Sequence, residues 1–267
     1  MRAVGQDQLV MTPSQVIRLF ALLVALAVNS AFAGPLDKCG EYTKVGIPST
    51  QGDLLCRKGY ALAHNPDRKV PDWVIEHLTK AKANGPVPRS DDFRADPDLA
   101  PAKRAALSDY QGSGYDRGHM APAGDMQWNE VAMSESFLLS NMAPQIGPGM
   151  NRGIWKDLEE KVRTWAIHRG EVYIITGPIY AHEPSIKTIG ANHVAVPAYF
   201  YKVIYDPVKV QAIAFVIPNE SIKNYELADY LISIKTVESL SGLNFLSKLS
   251  KDRQRRTENR RARKLWE

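Results

Sequence analysis

The sequence predicts a mixed α+β fold, and three stretches predict it. Residues 194–205 and 209–217 are apolar, β-branched and aromatic runs separated by Asp206-Pro207, the pattern of two antiparallel strands joined by a turn. Residues 171–176 form a continuous apolar run between Gly170 and Gly177-Pro178, which reads as a buried strand. Residues 151–168 place Ile154, Trp155, Leu158, Val162 and Trp165 at spacings of three and four, one apolar stripe along a helix.

Taken in order, the chain begins with a segment outside the fold. Arg18 leads into an apolar run at 19–28 and then Ala31-Phe32-Ala33, a charged flank, a short apolar core and a small-x-small cleavage pattern. Residues 1–33 are therefore expected to be a signal peptide, with the mature protein soluble and periplasmic or secreted. In an exported chain the close pair Cys39 and Cys56 is expected to form a disulfide. Residues 34–250 would form the main domain. Within it, 54–64 reads as one or two short strands and 65–68 as a turn. Residues 69–78 are expected to start extended and become helical with Asp72 as N-cap. Residues 84–114, rich in Pro, Gly, Asp and Arg, read as a long loop, and 109–114 as the lead into a hairpin strand. Residues 125–139 look helical in part. Gly170 stops the helix that begins at 151. Residues 224–248 are expected to be helical with a break at Ser241-Gly242.

The 267 residues, 44% hydrophobic and 24% charged, describe a globular protein with a formal charge of +5. That excess is not evenly spread. Residues 248–267 hold nine Lys or Arg against three acids, so residues 251–267 read as a basic tail suited to a polyanion.

The chemistry concentrates in Tyr115-Asp116-Arg117-Gly118-His119, in Ser140-Asn141-Met142-Ala143-Pro144, and in the stretch from Asn151 to Glu159. A histidine with an ordinary pKa near ~6.5 can take a proton from water at neutral pH. A neutral amide oxygen is a hard ligand that suits magnesium, which keeps several waters and takes few protein ligands. Arg89, Arg94, Arg117 and Arg152 can hold a phosphodiester with forked donors. Singly, Asn141 is as well explained as a turn former, Asn151 as a helix cap and Glu159 as a solvated charge. Together they make a base, a metal site and a phosphate clamp. On a regular helix Glu159 would stand roughly 12 Å along the axis from Asn151, which would keep both from touching one ion.

In these segments, and in Gly59-Tyr60-Ala61-Leu62, Pro71-Asp72-Trp73-Val74, Ile175-Thr176-Gly177-Pro178 and 214–219, the chain resembles the DNA/RNA non-specific endonucleases, the family of endonuclease G and the Serratia-type nuclease. With the leader, the resemblance implies an exported bacterial member. It implies a central antiparallel sheet and a ββα-metal site, with magnesium, or manganese in its place, as cofactor and DNA and RNA as substrates. His119 would be the general base, Asn151 the metal ligand, and Glu159 the holder of metal-bound water. Asn141 would orient His119 or the metal shell, and Arg89, thirty residues before His119, would clamp the scissile phosphate with Arg94 as its competitor. Asp116 and Arg117 would support the site. Activity is then expected to fall between pH 8 and 5 as His119 protonates. Two other functions fit the same residues: an exported protein that holds nucleic acid without cutting it, and a phosphodiesterase acting on small diesters.

Overall fold

A computed structural model describes residues 34–180 and 186–267; the leader read at 1–33 lies outside the described residues. Among the described residues no helix is long and apolar enough to cross a membrane. The framework is a seven-stranded sheet in the order β1 (Asp53–Cys56), β2 (Tyr60–Asn65), β3 (Val70–Thr79), β6 (Glu171–Ile179), β9 (Tyr199–Asp206), β10 (Gln211–Pro218) and β11 (Leu231–Ile232). Every neighbouring pair in it is antiparallel. Two small ladders accompany it: β4 (Tyr115–His119) with β5 (Met142–Ile146), and β7 (Thr188–Ile189) with β8 (Val194–Ala195). The helices are α1 (Leu107–Tyr110), α2 (Glu130–Ser136), α3 (Lys156–Arg169), α4 (Ile234–Ser241) and α5 (Lys251–Glu258).

The expected β9–β10 pair forms, with Asp206 opposite Gln211. Asp206 Oδ1 closes the turn by accepting from the amides of Val208 and Lys209, each at 2.8 Å. Strand alternation then divides the core in two. Val74, Leu78, Ile174, Phe200, Ile204 and Phe215 face one side, which is covered by α3 and the β4–β5 ladder. Trp73, Ile75, Tyr173, Ile175, Tyr201 and Val203 face the other, which is covered by α4, Phe245 and the segment carrying Cys39 and Tyr42. The disulfide Cys39–Cys56 is formed and ties that segment to the end of β1.

Three expectations are corrected. Residues 69–78 do not turn helical: β3 runs unbroken, because its residues alternate between two apolar layers and a helix would send half of them to water. Asp72 caps nothing and accepts from Asn65 Nδ2 at 3.1 Å. The helix expected from residue 151 begins at Lys156. Pro148, Gly149 (φ 79°) and Gly153 (φ −124°, ψ −114°) leave helical geometry, so 147–155 is an irregular, partly π-helical approach. Finally, 224–248 is mostly not helix. Residues 227–230 make a 3-10 turn, Leu231–Ile232 join the sheet edge, and only α4 is helical, capped by the Ser233 hydroxyl on Thr236 N and ended by Gly242 at φ 72°.

Candidate active site

His119 ends β4, and its position is fixed from below. Gly118 lies opposite Ala143 on β5, where an added Cβ would sit 2.0 Å from Gln145 Oε1, so only glycine lets the two strands close. Immediately after His119 the chain is pinned by Asn141. Met120 N donates to Asn141 O (2.9 Å) and Ala121 N to its Oδ1 (2.9 Å). The Asn141 amide donates in turn to Ala121 O (2.8 Å) and Ser136 O (2.9 Å). Asn141 is fully buried and does not line the cleft. Every polar atom of its side chain is used on backbone, so Asn141 positions the turn that follows His119 and has no atom left for a metal shell.

His119, Asp116, Arg117, Arg89, Asn151 and Glu159 line one open cleft of about 780 Å³. Arg94 is not among its walls. Its guanidinium donates to Asp92 and to Ser134, which removes it from the competition with Arg89. Arg89 is exposed and stands 5.0 Å over the Phe137 ring, and Arg117 stands 4.0 Å over Phe93. Those same rings hold the imidazole: His119 is edge-on to Phe137 (5.1 Å, 89°) and tilted on Phe93 (5.6 Å). Its Nε2 is sealed and bonds to nothing among the described residues, which leaves Nδ1 as the nitrogen the cleft can reach. Burial and the positive charges of Arg89 and Arg117 hold the ring neutral, with its pKa pushed down to about 3. So depressed a pKa places the titration of this ring below the pH 8 to 5 range over which activity was expected to fall.

Asn151 sits in the irregular approach, not on a helix. Its Nδ2 donates to Asp116 Oδ2 at 2.9 Å, and because a carboxylate only accepts, the amide is oriented with Oδ1 left over. Arg152 Nε approaches the same Asp116 oxygen at 3.2 Å. The kink at Gly153 removes the regular helix from which the 12 Å separation of Asn151 and Glu159 was reckoned, and both face the same cleft. Burial, with the negative charge of Asp125, pushes Glu159 up to about 7 against the positive charges of Lys202, Arg163 and Arg89.

Beneath Glu159 lies a group that sequence reading missed. Lys202 on β9 is buried, donates to Thr176 Oγ1 at 2.9 Å, and stands 4.8 Å over the Trp155 ring. Burial lowers its pKa, and Glu159, Glu76 and Asp125 oppose that. Glu76 and Asp125 are also buried, and burial raises both. Arg163, on the cleft wall, pairs with Asp125 at 2.8 Å. One signal was in the sequence: a lysine inside Tyr199-Phe-Tyr-Lys-Val-Ile-Tyr and a glutamate inside Trp73-Val-Ile-Glu are charges at core positions of otherwise apolar strands.

The donors fit a hard, hydrated cation. Among the described residues no cluster of three His, Cys, Asp or Glu could hold a metal, which excludes a closed zinc-type cage there. What the cleft offers is one free amide oxygen, a carboxylate, and room for water and phosphate oxygens.

A model of the DNA/RNA non-specific endonuclease family matches residues 39–252. The chain belongs to that family. It is 40% identical over 218 residues to Nuclease C1 of Cunninghamella echinulata var. echinulata, covering 76% of this chain and 86% of that one. It is 34% identical over 220 residues to human mitochondrial endonuclease G, covering 78% and 73%. The crystal structure of the EndoG/EndoGI complex superposes with a TM-score of 0.76 at 35% identity, covering 81% of this chain and 94% of that one. The enzyme is accordingly a nuclease, a metal-dependent hydrolase of the ββα-metal type. The relatives named are fungal and mitochondrial, so the expectation of a bacterial source draws no support from them.

Proposed function

We propose that this endonuclease cuts DNA and RNA without sequence preference, using magnesium held by Asn151 Oδ1 and neutral His119 as the base. The observation that carries the reading is the pair of atoms left over in one cleft: an imidazole kept neutral, with Nδ1 as its reachable nitrogen, and an amide oxygen freed by the Asp116 bond. His119 Nδ1 accepts the proton of the attacking water. Arg89, which pairs with no carboxylate among the described residues, donates its fork to the scissile phosphate, and Arg117 adds positive charge while packed on Phe93. Asp116 keeps the Asn151 amide turned the productive way. Glu159, once ionised, would accept hydrogen bonds from water that a bound cation holds in the cleft. Bound magnesium supplies positive charge against the phosphate and the departing oxygen. A site that reads phosphates gives no base preference.

Supercoiled plasmid and a structured RNA, each with magnesium or with EDTA, test this. Both should be degraded with magnesium and spared with EDTA. Degradation that persists in EDTA sinks the metal assignment. Periplasmic or extracellular residence is a separate proposal, supported by the pattern at 18–33 and by the bonded cysteines, which suit an oxidising compartment. N-terminal sequencing of the secreted chain would show Gly34 first; a retained leader would refute it.

A further inference from the structure

Residues 248–267 carry the chain's positive excess, yet the stretch beyond α5 is fastened at both ends. On the near side Gln254, Thr257 and Glu258 of α5 are buried, and Gln254 Nε2 donates to Leu246 O at 3.0 Å. On the far side Trp266 is clamped. Its carbonyl accepts from Trp165 Nε1 at 3.0 Å, its ring meets Trp165 at 5.2 Å, and the Arg169 guanidinium covers it at 4.1 Å. Leu265 and Ala262 pack on the same core. Between these anchors Arg260, Arg261 and Arg263 are exposed, and among the described residues none of the three has an ion-pair or hydrogen-bond partner. Their neighbours do: Arg255 and Arg256 pair with Asp252, and Lys264 pairs with Glu267. Arg260, Arg261 and Arg263 line an open hollow of about 580 Å³, and Arg261, Ala262 and Arg263 line a second of about 370 Å³.

Three uncompensated like charges on a chain segment fixed by packing repel one another, and among the described residues no acid pairs with them. A polyanion does. We infer that Arg260, Arg261 and Arg263 form a second, non-catalytic grip on the phosphate backbone of a long nucleic-acid substrate. The inference rests on the nuclease reading. The clamp sits on α3 at Trp165 and Arg169, while Arg163 of the same helix lines the cleft. A rigid helix thus holds cleft and grip in fixed relation, so a substrate longer than the cleft can engage both and a very short one engages the cleft alone. The gain is in capture, by counterion release, and not in the chemical step.

The test compares the full chain with the combined variant Arg260→Ala, Arg261→Ala, Arg263→Ala, and with the same three positions changed to Lys. Binding to a 30-base-pair duplex is measured by anisotropy in EDTA from 50 to 200 mM salt, and cleavage is measured with magnesium on that duplex and on a tetranucleotide. The alanine variant should bind the duplex about 10-fold more weakly, with a log–log salt slope reduced by about 2 to 3. Its KM for duplex should rise at unchanged kcat, its tetranucleotide cleavage should equal the parent's, and the lysine variant should restore most of the binding. An unchanged salt slope and KM overturn the inference. So does an equal loss on the tetranucleotide, which would make the segment structural. Loss of binding to vesicles containing phosphatidylserine, with duplex binding intact, would assign the arginines to a membrane surface and overturn it as well. A parent that cuts neither the duplex nor the tetranucleotide with magnesium refutes the nuclease reading instead, whatever the duplex binding shows.

Discussion

Two histidines are equally hidden, His77 at 8% exposure and His119 at 9%, and their surroundings are opposite. His77 lies on β3 with Nδ1 at 3.0 Å from Glu41 and Nε2 at 2.5 Å from Glu171, stacked on Tyr173 at 4.3 Å. Both ring nitrogens are used, and nothing is left for a substrate. His119 is flanked by two phenyl rings and two arginines, with one nitrogen sealed and unpaired. Burial alone therefore says little about function. The sign and the completeness of the partners separate a structural histidine from a reactive one.

The sharpest way to break that contrast is to exchange the consequences. His119→Ala should cost at least about 10³-fold in kcat, within the span general-base catalysis commands, with circular dichroism and duplex binding in EDTA unchanged. His77→Gln should leave kcat within about twofold and cost about 1–3 kcal/mol of stability, since it breaks a fully bonded ring. If His77→Gln silenced the enzyme and His119→Ala did not, the assignment would be reversed.

A second prediction concerns pH. With His119 neutral from pH 5 to 8, the ionisation available in the cleft is that of Glu159 near 7. Carboxylate, not carboxylic acid, accepts from bound water, so kcat/KM at subsaturating magnesium should rise as pH increases through about 7. Glu159→Gln should lower the rate by about 10²-fold and leave a profile without that rise. A rise that survives the substitution would place the titrating group elsewhere.

Much of this was legible in the chain and some was not, for physical reasons. The β9–β10 pair announced itself because Asp206-Pro207 breaks two apolar runs, and the cleft residues because Asp116 to His119 form one short polar block. β3 was misread because a strand buried on both faces loses the alternation that marks a half-exposed one. The start of α3 was misplaced because the stripe through Ile154 and Trp155 continues into an approach that Gly153 bends out of helical geometry. Asn141 looked catalytic by type and position, and only its four backbone bonds reveal that it is spent on holding the turn. Lys202 escaped because its partners come from β3, β6 and α3 and from the loop carrying Asp125, which no local pattern brings together.

Lys202 makes the next test of the contrast, since it is a buried charge on the cleft side of the sheet whose opposite side is lined with aromatic and aliphatic groups. Lys202→Met keeps the stem and removes the charge that offsets Glu76, Asp125 and Glu159. The uncompensated acids should cost about 3–5 kcal/mol, read as a lowered urea midpoint. The loss should shrink as pH falls below about 7, where Glu159 takes a proton and burial favours the neutral forms of Glu76 and Asp125 as well. A midpoint equal to the parent's at pH 8 would mean the acids are already neutral without the lysine.

The smallest effect separates the two histidines by stability alone. Folding holds His119 near 3, whereas the unfolded chain titrates near ~6.5, so below that value the unfolded state binds a proton that the metal-free folded state refuses. Stability contributed by the neutral ring is complete above about 6.5 and drains away as pH falls toward 3, at up to about 1.4 kcal/mol per pH unit. Between pH 7 and 5 the parent should lose about 2 kcal/mol more than His119→Gln, measured by urea unfolding in EDTA. His77→Gln should keep the contribution of His119, because it leaves the arginines and phenyl rings around that ring in place. Parallel pH dependences for the parent and His119→Gln would show that the arginines and the burial do not exclude the proton from the folded protein's ring.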